Sequence, residues 1–147
     1  MLKTNTKQLV EQAVIGTITQ PRLPLKNPYI VDPAGQAHIL PGTGGITYNV
    51  KVGDSAFDFE GDHVEPGVSI SYLEKDQNRL FLGGLNILAC IGNEARVVSG
   101  AAAGSKGLVT GKHGGVEHLL IDFSSSVLDK LMIGDKIQVK AVGQGLV

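Results

Sequence analysis

Short apolar runs with a two-residue period recur along this chain between glycine-containing turns. From Ile46 to Val52, Ile46, Tyr48, Val50 and Val52 alternate with Thr47, Asn49 and Lys51. Side chains of an extended strand point to opposite faces in turn, so this pattern predicts a strand with one face toward the core. The same alternation separates Val68, Ile70 and Tyr72 from Ser69 and Ser71, and it marks Ile137, Val139 and Ala141. Gly53–Asp54 and Gly134–Asp135 supply turns before AFDF and KIQVKA. ARVVS, GLVT and HLLIDF are further strand candidates. LNILACI reads as a more buried strand, on its short length and flanking glycines. The chain has 20 glycines, and about eight short strands without regular helices between them predict an all-β fold. A barrel or a folded sandwich with one or two short helices is expected.

The helical expectations are local. Thr6 to Val14 places Leu9, Val10, Ala13 and Val14 at helical offsets, although VIGTITQ also suits a strand. Pro21, Pro24, Pro28 and Pro33 then predict an extended arm through Gln36, because proline cannot donate to a sheet ladder. Residues 1–30 would thus hold a helix and a proline-containing arm. Ser126 and Asp129 have capping-box spacing and predict a short helix in SSSVLDKLM.

At 147 residues, the chain is long enough for one domain with a substantial core. Its 13 basic and 14 acidic residues give neither a polybasic nucleic-acid surface nor an acidic tail. No run of about 18 apolar residues suits a membrane helix, and the N-terminus has no secretory pattern. A soluble cytoplasmic protein is expected, with no nucleic-acid or membrane partner. Cys90 is the sole cysteine, which excludes an intrachain disulfide framework and suggests a buried structural thiol in LNILACIG.

Several glycine segments approach phosphate-binding motifs and miss. LPGTGG lacks the P-loop lysine and the helix that should follow. GLVTGKHGG is one residue short between its glycines, and His113 stands where a hydroxyl would hold magnesium. A non-nucleotide anion meeting Lys106 and Lys112 is still compatible with these loops. Serine hydrolysis has no nucleophile-elbow motif here. Asn93 and Glu94, just beyond an apolar run, suit either a ligand-facing edge or a hydrogen-bonded turn.

The chemical candidates are imidazoles and carboxylates. Glu60, Asp62, His63 and Glu65 fall in a polar loop, whereas Lys112, His113, Glu117 and His118 crowd around Gly114–Gly115. Asp62, His63, His113 and His118 would suit a divalent transition metal if the fold joined the two loops. Alternatively, His113 would act as a general base beside Lys112, whose charge would orient an anionic small molecule. With no chemistry, the same residues make an acidic surface loop with turn and surface histidines.

The series VDPAGQAHILPGTGGITYNVKVGD, EGDHVEPGVSI, LNILACIGNEARVVSG, KGLVTGKHGGVEHLLIDF and IGDKIQVKAVGQGL resembles the N-terminal domain of domain-of-unknown-function family 4438, an uncharacterised prokaryotic family. The resemblance runs from about Val31 to Leu146. It implies an all-β domain, often within a longer protein carrying a C-terminal region, and it transfers no activity. A complementary C-terminal-domain protein is one expected partner, and a second copy is another. Two functions therefore compete: a β-rich binding or assembly module, slightly preferred, and a metal- or anion-dependent small-molecule enzyme with its site near His63 and His113.

Overall fold

The structure, a computed structural model, describes residues 3–21, 29–39, 44–47, 67–72, 79–113 and 118–147. After a 3₁₀ turn at Thr6–Gln8 come β1 (Gln12–Ile18), β2 (Tyr29–Val31), β3 (Ala37–Ile39), β4 (Ile46–Thr47) and β5 (Gly67–Ser71). Then follow α1 (Arg79–Leu88), β6 (Glu94–Val97), β7 (Lys106–His113), β8 (His118–Asp122), α2 (Ser125–Leu128) and β9 (Lys136–Ala141). Six strands in the order β1-β9-β6-β7-β8-β5 close on themselves through a β1–β5 pairing, all antiparallel. The fold is a closed antiparallel barrel with two short helices.

Alternation builds the barrel interior. Ile18, Val68, Ile70, Val97, Val109, Leu119, Ile121, Ile137 and Val139 are fully buried. Removing each such side chain from water contributes roughly 1.5–3 kcal/mol before chain entropy is set against it. Exposed Glu94, Arg96, Lys136, Gln138 and Lys140 occupy the alternate positions of β6 and β9, so these strands have the half-buried pattern expected of them.

β5 shares one of its edges between two strands. Thr47 and Ile46 of β4 face Gly67 and Val68, while Ile18 and Thr17 of β1 face Ile70 and Ser71. Between them, Ser69 donates its N–H to the Gly45 carbonyl at 2.9 Å and accepts from the Thr19 N–H at 3.0 Å. The end of β1 and the start of β4 therefore meet over the middle of β5.

Three local expectations are corrected. The run expected as the LNILACI strand lies largely in α1, with Gly83–Gly84 inside the helix. Leu85 and Ala89, one helical turn apart, are both buried, and Leu85 packs where a Cβ on Gly16 would lie only 2.9 Å from its Cδ2. Glycine at position 16 lets the helix approach β1 closely; this tertiary packing offsets the roughly 1 kcal/mol that an interior glycine costs a helix. At the N-terminus, the helix expected from Thr6 to Val14 is a single 3₁₀ turn, and β1 begins at Gln12. Finally, part of the expected proline arm is a β2–β3 hairpin. Its turn is held by Asp32 Oδ1, which accepts from the N–H groups of Ala34 and Gln36, both at 2.9 Å.

Elsewhere α2 forms where a short helix is expected, but Ser124 is its N-cap, without a side-chain capping bond. The strand expected at VSISY is β5, and those at ARVVS, GLVT, HLLIDF and KIQVKA are β6, β7, β8 and β9. Of the strand expected from Ile46 to Val52, residues 48–52 lie outside the described residues, as does AFDF.

Candidate functional site

The candidate site forms where β7 and β8 meet near their connection. Val109 faces Ile121, and Gly111 faces Leu120, leaving Thr110 as the extra residue of a β-bulge. A bulge sets two residues against one and changes the parity of the strand beyond it. Val109 faces the barrel interior; simple alternation would carry His113 to that same face. Past the bulge, Lys112 instead pairs with buried Leu119, and His113 pairs with His118 on the outer face.

The two imidazoles are neighbours as a result. Their ring centroids are 6.5 Å apart, with the ring planes inclined by 49°. His118 is 1% exposed, whereas His113 is half-buried. Across β8 on the same outer face lie Ser69, opposite Leu120, and Ser71, opposite Thr17 of β1. Thr19, Ser69, Ser71 and His118 are all buried, so this part of the outer surface is a covered polar patch.

Gly44–Gly45 forms part of the cover. The Gly45 N–H donates to Thr19 Oγ1 at 3.2 Å, and Thr19 Oγ1 donates to the Ser69 carbonyl at 3.3 Å. Gly44 has φ +102°, and a Cβ there would lie 2.7 Å from His118 Cε1. A side chain would displace the loop or the ring; glycine lets the backbone lie against the imidazole. Ser71 Oγ is buried without a hydrogen-bond partner among the described residues.

The expected site residues divide. His113 and His118 are brought together. Lys112 is directed away from His113, and its Nζ donates to the Asn86 carbonyl at 2.5 Å, in the last turn of α1. A cation there satisfies a helix-end carbonyl and complements the helix dipole. The structure therefore does not place the expected pair of a general base and its cation on one face. Asp62 and His63 lie outside the described residues, as do Glu60, Glu65 and Glu117. Among the described residues no group of three or more His, Cys, Asp or Glu is placed to hold a metal ion.

Other polar candidates are engaged in structural contacts. Asn93 is buried; its Oδ1 accepts from Cys90 N at 2.8 Å and Val142 N at 3.1 Å, while Nδ2 donates to Val142 O at 2.8 Å. Glu94 pairs with Lys106 at 3.1 Å on the exposed face. Cys90 is half-buried rather than buried, beside Gly143. Sequence alternation missed Thr19, Ser69 and Ser71 as parts of the patch, because only pairing among β1, β5 and β8 assembles them.

Open grooves lie elsewhere among the described residues. One, of ≈ 360 Å³, is lined by residues that include Leu9, Val10, Leu88 and Val142. The other, of ≈ 380 Å³, crosses the charged outer face at Glu94, Arg96 and Lys140. No helix among the described residues is long and apolar enough to cross a membrane.

A closed antiparallel barrel with a covered polar patch and a cross-strand histidine pair defines the class of this protein. The chain belongs to the family described as "Domain of unknown function (DUF4438), N-terminal", which matches residues 29–147. It is similar to the protein of a solved structure, "Crystal structure of TM1086", at 52% identity and a TM-score of 0.80. That similarity covers 99% of this chain and 49% of the other, so this chain spans about half the length of that solved relative. No curated protein matches the chain.

Proposed function

We propose that this barrel is a soluble cytoplasmic binding and assembly module that docks a complementary domain, corresponding to the remaining part of its longer solved relative. The carrying observation is that likeness, which covers 99% of this chain but 49% of the relative's. The docking face is the apolar groove where the two chain ends meet. Asn5 ties these ends together, donating from Nδ2 to the Gly145 carbonyl and accepting at Oδ1 from the Val147 N–H, both at 2.9 Å. In the lining of this groove Val10 is 72% exposed, beside Leu9, Leu88 and Val142. Clustered exposed apolar side chains favour association because burying them releases ordered water. The charged outward faces of β6 and β9 favour water over lipid as the barrel's surroundings.

The test mixes this chain with the separately expressed remaining half of the 52%-identical relative and measures mass by light scattering. A one-to-one complex that weakens in Val10→Glu is expected. Two independent monomers at about 100 μM, roughly a 5.5 kcal/mol threshold, would overturn the docking proposal. Self-association of this chain through Val10, with no binding to the other half, would replace it with homo-oligomeric assembly. A second reading, a metal- or anion-dependent small-molecule enzyme, draws its support from the proximity of His113 and His118.

A further inference from the structure

We infer that the docking interface extends from the apolar groove onto the outer face of β1, β9 and β6, where Arg96 receives a carboxylate of the complementary domain. This inference rests on the docking proposal and names the chemistry that the same partner carries. The apolar and charged grooves have Gln12 in common in their linings, so the second begins where the first ends.

Strand pairing fixes what a partner meets there. Ile15 pairs with Gln138, Gln138 with Arg96, and Arg96 with Lys106, which makes one exposed row across β1, β9, β6 and β7. Arg96 and Lys106 thus stand directly opposite each other, and like charges so placed repel. Lys106 is answered by Glu94 at 3.1 Å, and Lys140 by Glu11 at 2.9 Å. Neither Arg96 nor Lys136 has an ion pair among the described residues. This face therefore presents Arg96, Lys106, Lys136 and Lys140 against the carboxylates of Glu11 and Glu94, both already engaged. An incoming carboxylate would offset the unmatched charge.

Arg96 is the cation suited to receive it. A guanidinium donates two parallel hydrogen bonds to a carboxylate, which an ammonium cannot do. Arginine is also enriched at protein interfaces and lysine depleted, so the lysines serve to steer the acid toward Arg96. Aliphatic side chains flank the guanidinium. Ile15, in the same row, is 41% exposed, and Val98, two residues along β6 on the same face, is 42% exposed. The matching surface is an Asp or Glu beside an aliphatic residue.

The test uses this chain mixed with the separately expressed remaining half of the 52%-identical relative, and a chimera in which this chain replaces the matched half of that relative. Calorimetry on the mixture is expected to show binding that weakens severalfold between about 0.05 M and about 0.5 M salt, because the Debye length shrinks. Arg96→Glu should weaken it about tenfold or more, since a like charge then faces the partner's carboxylate. Circular dichroism checks that this variant is folded. In the chimera, phenylglyoxal should modify Arg96 severalfold more slowly than in this chain alone, as read by peptide mass spectrometry. Protection in the chimera without measurable binding in the mixture would still support the contact, because linkage raises the effective concentration of the partner. A complex weakened by Val10→Glu but by neither Arg96→Glu nor salt would leave the docking proposal standing and overturn this inference. Equal Arg96 modification in the chimera and the free chain would also overturn it. That result with no binding in the mixture would overturn both.

Discussion

The local setting of Asn93 predicts a turn but does not reveal its distant partner. One amide side chain binds Cys90 just beyond α1 and both backbone groups of Val142 just beyond β9. Asn93→Ala removes all three contacts and leaves polar backbone groups in a partly buried setting. A loss of about 2–4 kcal/mol is expected from urea unfolding, since abandoned buried donors and acceptors cost more than an exchanged hydrogen bond. A change below about 0.5 kcal/mol would show that water replaces the amide at little cost. His113 and His118 were legible as chemically capable residues on either side of a tight turn, but the bulge that puts them on one face was not. Lys112 was legible as a cation; its engagement with Asn86 depends on the position of α1.

The bulge in β7 decides which residues share a face. Thr110 can be removed while Val109 remains opposite Ile121 and Gly111 opposite Leu120. The Thr110 deletion is therefore expected to give a regular, folded strand with His113 still beside His118. Proton contacts between these two imidazoles, measured by NMR, check the result; their disappearance in a folded deletion variant would contradict this register. The bulge is hidden in sequence because Thr110 is a good strand residue, and its exceptional status comes from the absence of an opposite partner. The reverse error occurred in α1, where flanking glycines suggested a strand. Packing between Leu85 and β1 overrides their weak helical propensity, so the apolar run adopts the helix.

Closure is the property of the whole molecule that no single strand contains. β1 makes six paired positions with β9 and reaches β5 at Thr17 and Ile18. Removing residues 1–20 should expose the edges of β9 and β5 and promote association of unpaired strands. Light scattering should detect that aggregation, whereas a stable monomer with native sheet content would show that the remaining strands close without β1. The short strands, their apolar faces and several intervening turns are written in local patterns, because alternation and turn chemistry act between near neighbours. Closure of the six strands, entry of Leu85 into the core from a helix, and the placing of His113 against His118 on one face are set by long-range packing. These outcomes depend on pairing between distant residues, and one unpaired residue is enough to reverse the faces of those beyond it.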